Sequence, residues 1–164
     1  MRTLTQIVKK LNFLNGNHKP KLPVVFSGGE PALELDRTLL VYLYSEGFTK
    51  MHIETNGGTD LRFGYRFLKH IVMSPKQSRK ETKLLKCHDL KILFPFINKD
   101  ITVQKFKDFP CERMYLQPIE VDGINSELTK LNTGMAREYI AKWNKENEKK
   151  LSLSCQMHKY IGAE

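Results

Sequence analysis

Several short polar segments in this sequence have the composition of loops that receive a small charged ligand. The first is Ser27-Gly28-Gly29-Glu30-Pro31, directly behind the apolar run Leu22 to Phe26. Having no Cβ atoms, Gly28 and Gly29 let main-chain donors and acceptors approach a ligand closely. Glu30 offers a carboxylate to an ammonium group, and Pro31 suits the first turn of a following helix. A strand, Gly-Gly-Glu-Pro and then a helix make a cradle for the charged end of an amino acid. A plain strand-to-helix turn with a capping glutamate is the competing description, and the Glu-Pro behind the strand favours the cradle.

Three further segments carry complementary chemistry. Glu54-Thr55-Asn56-Gly57 contains Asn-Gly, a frequent turn dipeptide, but in a parallel sheet Glu54 shares a rim with Glu30. Ser74-Pro75-Lys76 places a hydroxyl for a ribose and a cation for a carboxylate on one stiffened loop. Gln117-Pro118 supplies an amide that donates and accepts at once, as the edge of an adenine or a pterin requires. Near the end of the chain stands Ser154-Cys155-Gln156-Met157-His158-Lys159. Each of these further segments in isolation reads better as a turn or a solvated surface; it is their succession that points to a site.

The elements that would position them are legible from hydrophobic patterning. Leu22 to Phe26, Lys50 to Glu54, His70 to Met73, Asp89 to Phe94 and Met114 to Leu116 read as strands. Between the first two, Leu35, Leu39, Leu40 and Leu43 share a helical face that ends at Gly47. Asp100 is placed to cap a short helix to about Lys107, and a longer helix covers roughly Asn132 to Glu148. Met135, Tyr139 and Trp143, spaced by four, read as its core-facing stripe. Strands alternating with helices predict an α/β fold with a parallel sheet in one domain, residues 1–164. In such sheets, sites form where the carboxyl ends of the strands meet their following loops.

Composition narrows the classes of function. Hydrophobic residues make up 40% and charged residues 27% of the 164, as in an ordinary globular protein. The longest apolar run, Ile92 to Ile97, is too short for a bilayer and contains a proline, so no membrane span or membrane partner is expected. The net charge of +9 is compatible with nucleic acid or an anionic ligand, but its lysines and arginines are scattered in short clusters, which favours a solvated basic surface. Met1 to Leu14 is acid-free and amphipathic; it resembles a transit peptide, and better resembles a first helix stopped by Asn15-Gly16. Cys87, Cys111 and Cys155 are odd in number and form no C-x-x-C pair, so reduced thiols in a cytoplasmic protein are expected, with no protein metal ligands.

Taken in order, these motifs resemble one family. Val25 to Pro31 is similar to the Gly-Gly-Glu-Pro element of radical S-adenosylmethionine enzymes. Glu54-Thr55-Asn56-Gly57, Ser74-Pro75-Lys76, Gln117-Pro118 and the ending Gln156 to Gly162 resemble, more narrowly, the 7-carboxy-7-deazaguanine synthases. The resemblance implies a curved, partial (β/α)-barrel sheet of the radical S-adenosylmethionine type. It also implies a lyase activity, in which radical ring contraction of 6-carboxytetrahydropterin feeds queuosine and other 7-deazaguanine compounds. The implied cofactors are S-adenosylmethionine, a 4Fe-4S cluster and magnesium. Gly28, Gly29, Glu30, Ser74, Pro75, Lys76, Gln117, Pro118, Ile119 and Glu120 would hold S-adenosylmethionine. Ser27, Glu54, Asn56, His158 and the final Glu164 would face the pterin.

The sequence departs from the family at its front. The family's C-x3-C-x2-C cluster loop, its first strand, its magnesium-binding threonine and an upstream arginine have no counterpart here. Three thiolates in one compact loop cannot be assembled from Cys87, Cys111 and Cys155. The expectation is therefore a chain without its first strand and inactive in isolation: a truncated form, one with a misplaced start codon, or the product of a split gene whose separate upstream chain carries the cysteine motif. A homodimer and an electron donor such as flavodoxin or ferredoxin are the partners the family implies. Two rivals are another radical S-adenosylmethionine enzyme, such as a glycyl radical activase, and a basic nucleic-acid-binding remnant. The second lacks the alternation of aromatic and basic residues typical of single-strand binding surfaces.

Overall fold

The computed structural model describes residues 3–123 and 125–155. Six strands form one sheet: β1 (Val24–Phe26), β2 (Met51–Thr55), β3 (Leu68–Met73), β4 (Cys87–Phe94), β5 (Cys111–Pro118) and β6 (Leu151–Leu153). Their spatial order is their chain order, and all five pairings are parallel. Right-handed crossovers between strands laid down in sequence place the connecting helices on one face and leave the other free. The expectation of an α/β fold built on a parallel sheet is met.

Four α-helices accompany the sheet: α1 (Leu4–Asn15), α2 (Arg37–Ser45), α3 (Val103–Phe106) and α4 (Glu127–Glu146). A capping box opens α1, with Thr3 Oγ1 accepting from the Gln6 amide and the Thr3 amide donating to Gln6 Oε1. Asn15 ends it and is buried. Its side-chain oxygen accepts from the Leu22 amide at 2.9 Å and its amide donates to the His18 carbonyl at 3.1 Å, fixing the path into β1. Leu40 and Leu43 of α2, Val103 and Phe106 of α3, and Ala136 and Trp143 of α4 pack with Met51, Ile53, Ile71, Leu90, Ile92, Met114 and Leu116 of the strands.

Five expectations need correction. The short helix is capped by Thr102, whose hydroxyl accepts from the Lys105 amide, and not by Asp100. The long helix starts five residues earlier than Asn132, at Glu127, because Ser126 caps it through the Thr129 amide. Met135 is 43% exposed and is no part of the core stripe; Ala136, one position on, faces inward instead. A sixth strand, β6, went unrecognised, since three residues give too little alternation to read. Strand β5 is also longer than Met114 to Leu116: it begins at Cys111, and its Arg113 pairs with Asp89 of β4 on the uncovered side of the sheet.

Candidate functional site

The carboxyl ends of the six strands share one rim, and the polar loops lie along it. Glu30 is its main brace. Its Oε1 accepts from the Thr55 hydroxyl at 2.5 Å and from the Ala32 amide at 3.2 Å, and its Oε2 accepts from the Asn56 amide at 2.6 Å. One carboxylate thus caps the short 3-10 turn Pro31–Leu33 and pins the loop after β2 to the loop after β1. The Thr55 hydroxyl also accepts from the Gly57 amide at 3.1 Å. Next along the rim, the Ser74 amide donates to the Thr55 carbonyl at 2.8 Å, and Gln77 Nε2 donates to the Asn56 carbonyl at 2.9 Å. Three successive strand-end loops are stitched into one surface.

This arrangement changes how Glu30 and Asn56 are understood. Both Glu30 oxygens are engaged by the chain's own donors, so what Ser27 to Gly29 present outward is mainly backbone. Gly28 and Gly29 have φ of 85° and 54°, conformations that residues with side chains rarely adopt, and a Cβ on either would meet open space. The glycines are thus demanded by the turn itself, and the space beside them is clear. That space is a cleft of 540 Å³ running from Ser27, Gly28 and Gly29 to Val25 and Leu33. Asn56 turns its Oδ1 onto the Gly58 amide at 2.7 Å, closing the loop locally.

The remaining motif residues lie on the same rim. Pro75 and Lys76 line a second cavity, of 200 Å³, with Leu93, Ile97 and Asn98. Gln117 is near the end of β5, and its Oε1 lies 3.4 Å from the Ser154 hydroxyl beyond β6. Ile119 continues the ladder by donating to the Phe94 carbonyl at 2.7 Å, and its own carbonyl accepts from Asn132 of α4 at 2.8 Å. Pro118 closes β5 opposite Phe94, and Glu120 follows two residues later in the connection to α4. Glu54 lies on the uncovered face, 3.5 Å from Lys91 Nζ. Glu30, Glu54, Lys76 and Gln117 are therefore gathered at one end of the sheet. His158 and Glu164 lie outside the described residues.

Sequence reasoning passed over the polar side of the sheet. His52, His70, Asp89, Lys91 and Arg113 line the face that the helices leave free. Buried Asp89 accepts from Arg113 Nε at 2.7 Å and lies 3.0 Å from His70 Nε2. The rings of His52 and His70 are 5.6 Å apart, and those of His70 and His88 are 5.0 Å apart. Burial pushes the His52 pKa down, with His70, His88 and Lys50 adding repulsion. The Asp89 hydrogen bond and charge hold the Arg113 pKa up. The signal for these residues was available as period-two alternation, with His52 and Glu54 between buried Met51, Ile53 and Thr55. Among the described residues, no group of three or more His, Cys, Asp or Glu could hold a metal ion, and no helix is long and apolar enough to cross a membrane.

Fold and rim together define an α/β protein with an all-parallel, sequentially wound sheet, a polar uncovered face and a cleft at the strand ends. Comparison with known proteins then gives the particular likeness. The chain is 34% identical over 147 residues to 7-carboxy-7-deazaguanine synthase of Bordetella pertussis, covering 90% of this chain and 62% of the relative. It is 32% identical to the synthase of Caulobacter vibrioides and 30% identical to that of Nitratidesulfovibrio vulgaris, each over 139 residues, 85% of this chain and 58% of the relative. The resemblance drawn from the motifs is borne out by these relatives. The chain spans about three-fifths of the length of the relatives it matches. No family model matches it.

Proposed function

We propose that this chain carries the ligand-binding strand ends of a 7-carboxy-7-deazaguanine synthase, a carbon–nitrogen lyase of the radical S-adenosylmethionine type. The observation that carries the reading is the Glu30 brace, which joins the Gly-Gly turn to the Thr55-Asn56-Gly57 loop in one surface beside the 540 Å³ cleft. The names of the relatives support it, and they favour neither another radical enzyme nor a nucleic-acid-binding remnant.

The residues fit S-adenosylmethionine. The left-handed backbone at Gly28 and Gly29 turns main-chain groups toward clear space, where they take up the ammonium and carboxylate of the methionyl part. The Ser74 hydroxyl and Lys76 cation, held one loop away, suit a ribose hydroxyl and a carboxylate. Gln117, steadied by Ser154, offers an amide to a base edge. Bound S-adenosylmethionine is the source of the hydrogen-abstracting radical in this chemistry. Glu54 and its partner Lys91 face the sheet's polar side, where they orient an anionic, hydrogen-bonding pterin together with Ser27 and Asn56.

The described residues do not fit a 4Fe-4S cluster or magnesium. Cys87 and Cys111 open β4 and β5, at the opposite end of the sheet from Glu30, and no three metal-ligating side chains converge. A second copy of the chain and a flavodoxin- or ferredoxin-type electron donor complete the reading as partners.

Titration calorimetry of the 164-residue chain with S-adenosylmethionine tests the proposal, with 6-carboxytetrahydropterin added second. Saturable binding that Gly28→Ala weakens is expected. A chain that ignores both ligands but shifts RNA in a salt-sensitive way would sink the reading in favour of the nucleic-acid remnant.

A further inference from the structure

Cys87 and Cys111 are the first residues of β4 and β5 and are direct register partners in the parallel ladder. Register partners on neighbouring parallel strands point to the same side, and the strands lie about 4.8 Å apart. That separation falls within the about 4.4–6.8 Å usual between the Cα atoms of a disulfide. Both thiols are free. The Cys87 amide donates to the Pro110 carbonyl at 3.1 Å, fixing the two strand starts in place.

The two sulfurs have different surroundings. Cys87 is 6% exposed, whereas Cys111 is partly open to solvent. Cys87 lines a cavity of 120 Å³ with Tyr65, Lys86, His88 and Glu112. The Cys87 thiol donates to Cys111 and, against the effect of burial and with help from the nearby Lys149 ammonium, brings the Cys111 pKa down to about 6. That same donation, with burial and the negative field of Asp89, pushes Cys87 up. Lys149 is held over this rim by donating to the Phe109 carbonyl at 2.8 Å. A partly exposed thiolate beside a buried thiol is the division of labour of an attacking and a resolving cysteine.

We propose that Cys87 and Cys111 form a thiol–disulfide exchange site that takes small disulfides of the glutathione disulfide class. The Cys111 thiolate attacks one sulfur of the disulfide, forming a mixed disulfide and releasing one thiolate. Cys87 then gives up its proton and attacks the Cys111 sulfur, releasing the second thiolate. The net change joins Cys87 to Cys111, with the protein oxidised by two electrons and the small disulfide reduced to two thiols. The site stands independently of the proposed synthase activity and sits at the opposite end of the sheet from Glu30.

The test uses the Cys155→Ser protein, which removes the exposed third thiol. Incubation with glutathione disulfide should give a protein two hydrogens lighter, free of glutathione, closed to iodoacetamide and restored by dithiothreitol. Peptide mapping should join the segments bearing Cys87 and Cys111. Before oxidation, the alkylation rate of Cys111 should rise with pH around a midpoint below that of an ordinary thiol. Adding Cys87→Ser should strand glutathione on Cys111; should that variant not fold, the first arm decides alone. Two thiols that stay open to alkylation, a glutathione adduct that persists on the dithiol protein, or a bridge between two molecules would each overturn the proposal.

Discussion

The Thr55 hydroxyl donates to Glu30 Oε1 at 2.5 Å, across 25 residues of sequence and from one strand end to the next. With the Asn56 amide on the other oxygen, this bond makes the shape of the Gly-Gly turn depend on the loop after β2. Replacing the carboxylate by an amide removes an ionised acceptor and turns one NH2 group toward a donor. Glu30→Gln should therefore cost about 1–3 kcal/mol in urea unfolding and weaken S-adenosylmethionine binding in the same protein. Thr55→Val keeps the shape and the Asn56 bond but also frees the buried Gly57 amide, so its cost should fall in the same range. Equal stability of Glu30→Gln and wild type would show that the brace carries no load.

Two glycines separate backbone cost from steric cost. Gly28 and Gly57 have φ of 85° and 80°, but a Cβ at Gly28 meets nothing within 4 Å, whereas one at Gly57 meets Met73 Sδ at 2.5 Å. Gly28→Ala should cost about 1–2 kcal/mol, the left-handed penalty alone. Gly57→Ala should cost more, because fully buried Met73 must also shift. The Gly57 carbonyl also accepts from the Lys83 and Leu84 amides, so the loop into β4 should loosen with it. Thermal melts of the two variants, side by side, test the ranking.

The histidines on the polar face give the protein an acid sensitivity with a definite sign. Burial, then His70, His88 and Lys50, lower the His52 pKa in the folded state. Below about pH 6.5 the unfolded chain then takes up a proton at His52 more readily than the folded one. Folding stability contributed by this residue is present above that pH and is lost as pH falls toward the folded-state pKa. His52→Gln should narrow the gap between urea midpoints measured at pH 8 and pH 5.5. A gap unchanged by the substitution would refute the account.

Besides its ladder with β5, strand β6 is tied to α4 by one side-chain amide. Asn144 Oδ1 accepts from the Leu151 amide at 2.8 Å, and its Nδ2 donates to the Leu151 carbonyl at 3.0 Å. Asn144→Asp keeps the first bond and sets a carboxylate oxygen against the carbonyl. The expected loss is about 1–3 kcal/mol, with faster hydrogen exchange at Leu151 and Leu153 than in the rest of the sheet. Uniform exchange across β4 to β6 would be the contrary result.

Much of the fold could be read from pattern because each of β1 to β5 carries a run of apolar or alternating residues and a polar ending. The Gly28-Gly29 turn and the Asn56-Gly57 turn were visible for the same reason: their residues are the ones that tolerate positive φ or close a loop on themselves. What escaped notice depends on pairing between distant segments. Nothing local in Thr55 announces that its hydroxyl meets Glu30, and Asp89 gains meaning only beside His70 and Arg113. Met135 shows the converse. A spacing of four drifts around a helix with 3.6 residues per turn, so a stripe anchored on Trp143 has left the core two steps earlier.

The sheet's spatial order copies the order of synthesis. Each of β2 to β6 pairs with the strand made just before it, so no later segment must be threaded between two earlier ones. Such a molecule can grow by accretion, every new β unit docking on a template already in place as the chain leaves the ribosome. Its longest wait is for β6, which comes only after the 20-residue α4 has been made. The Gly-Gly cleft beside β1 is thus completed before the Gln117 side of the rim.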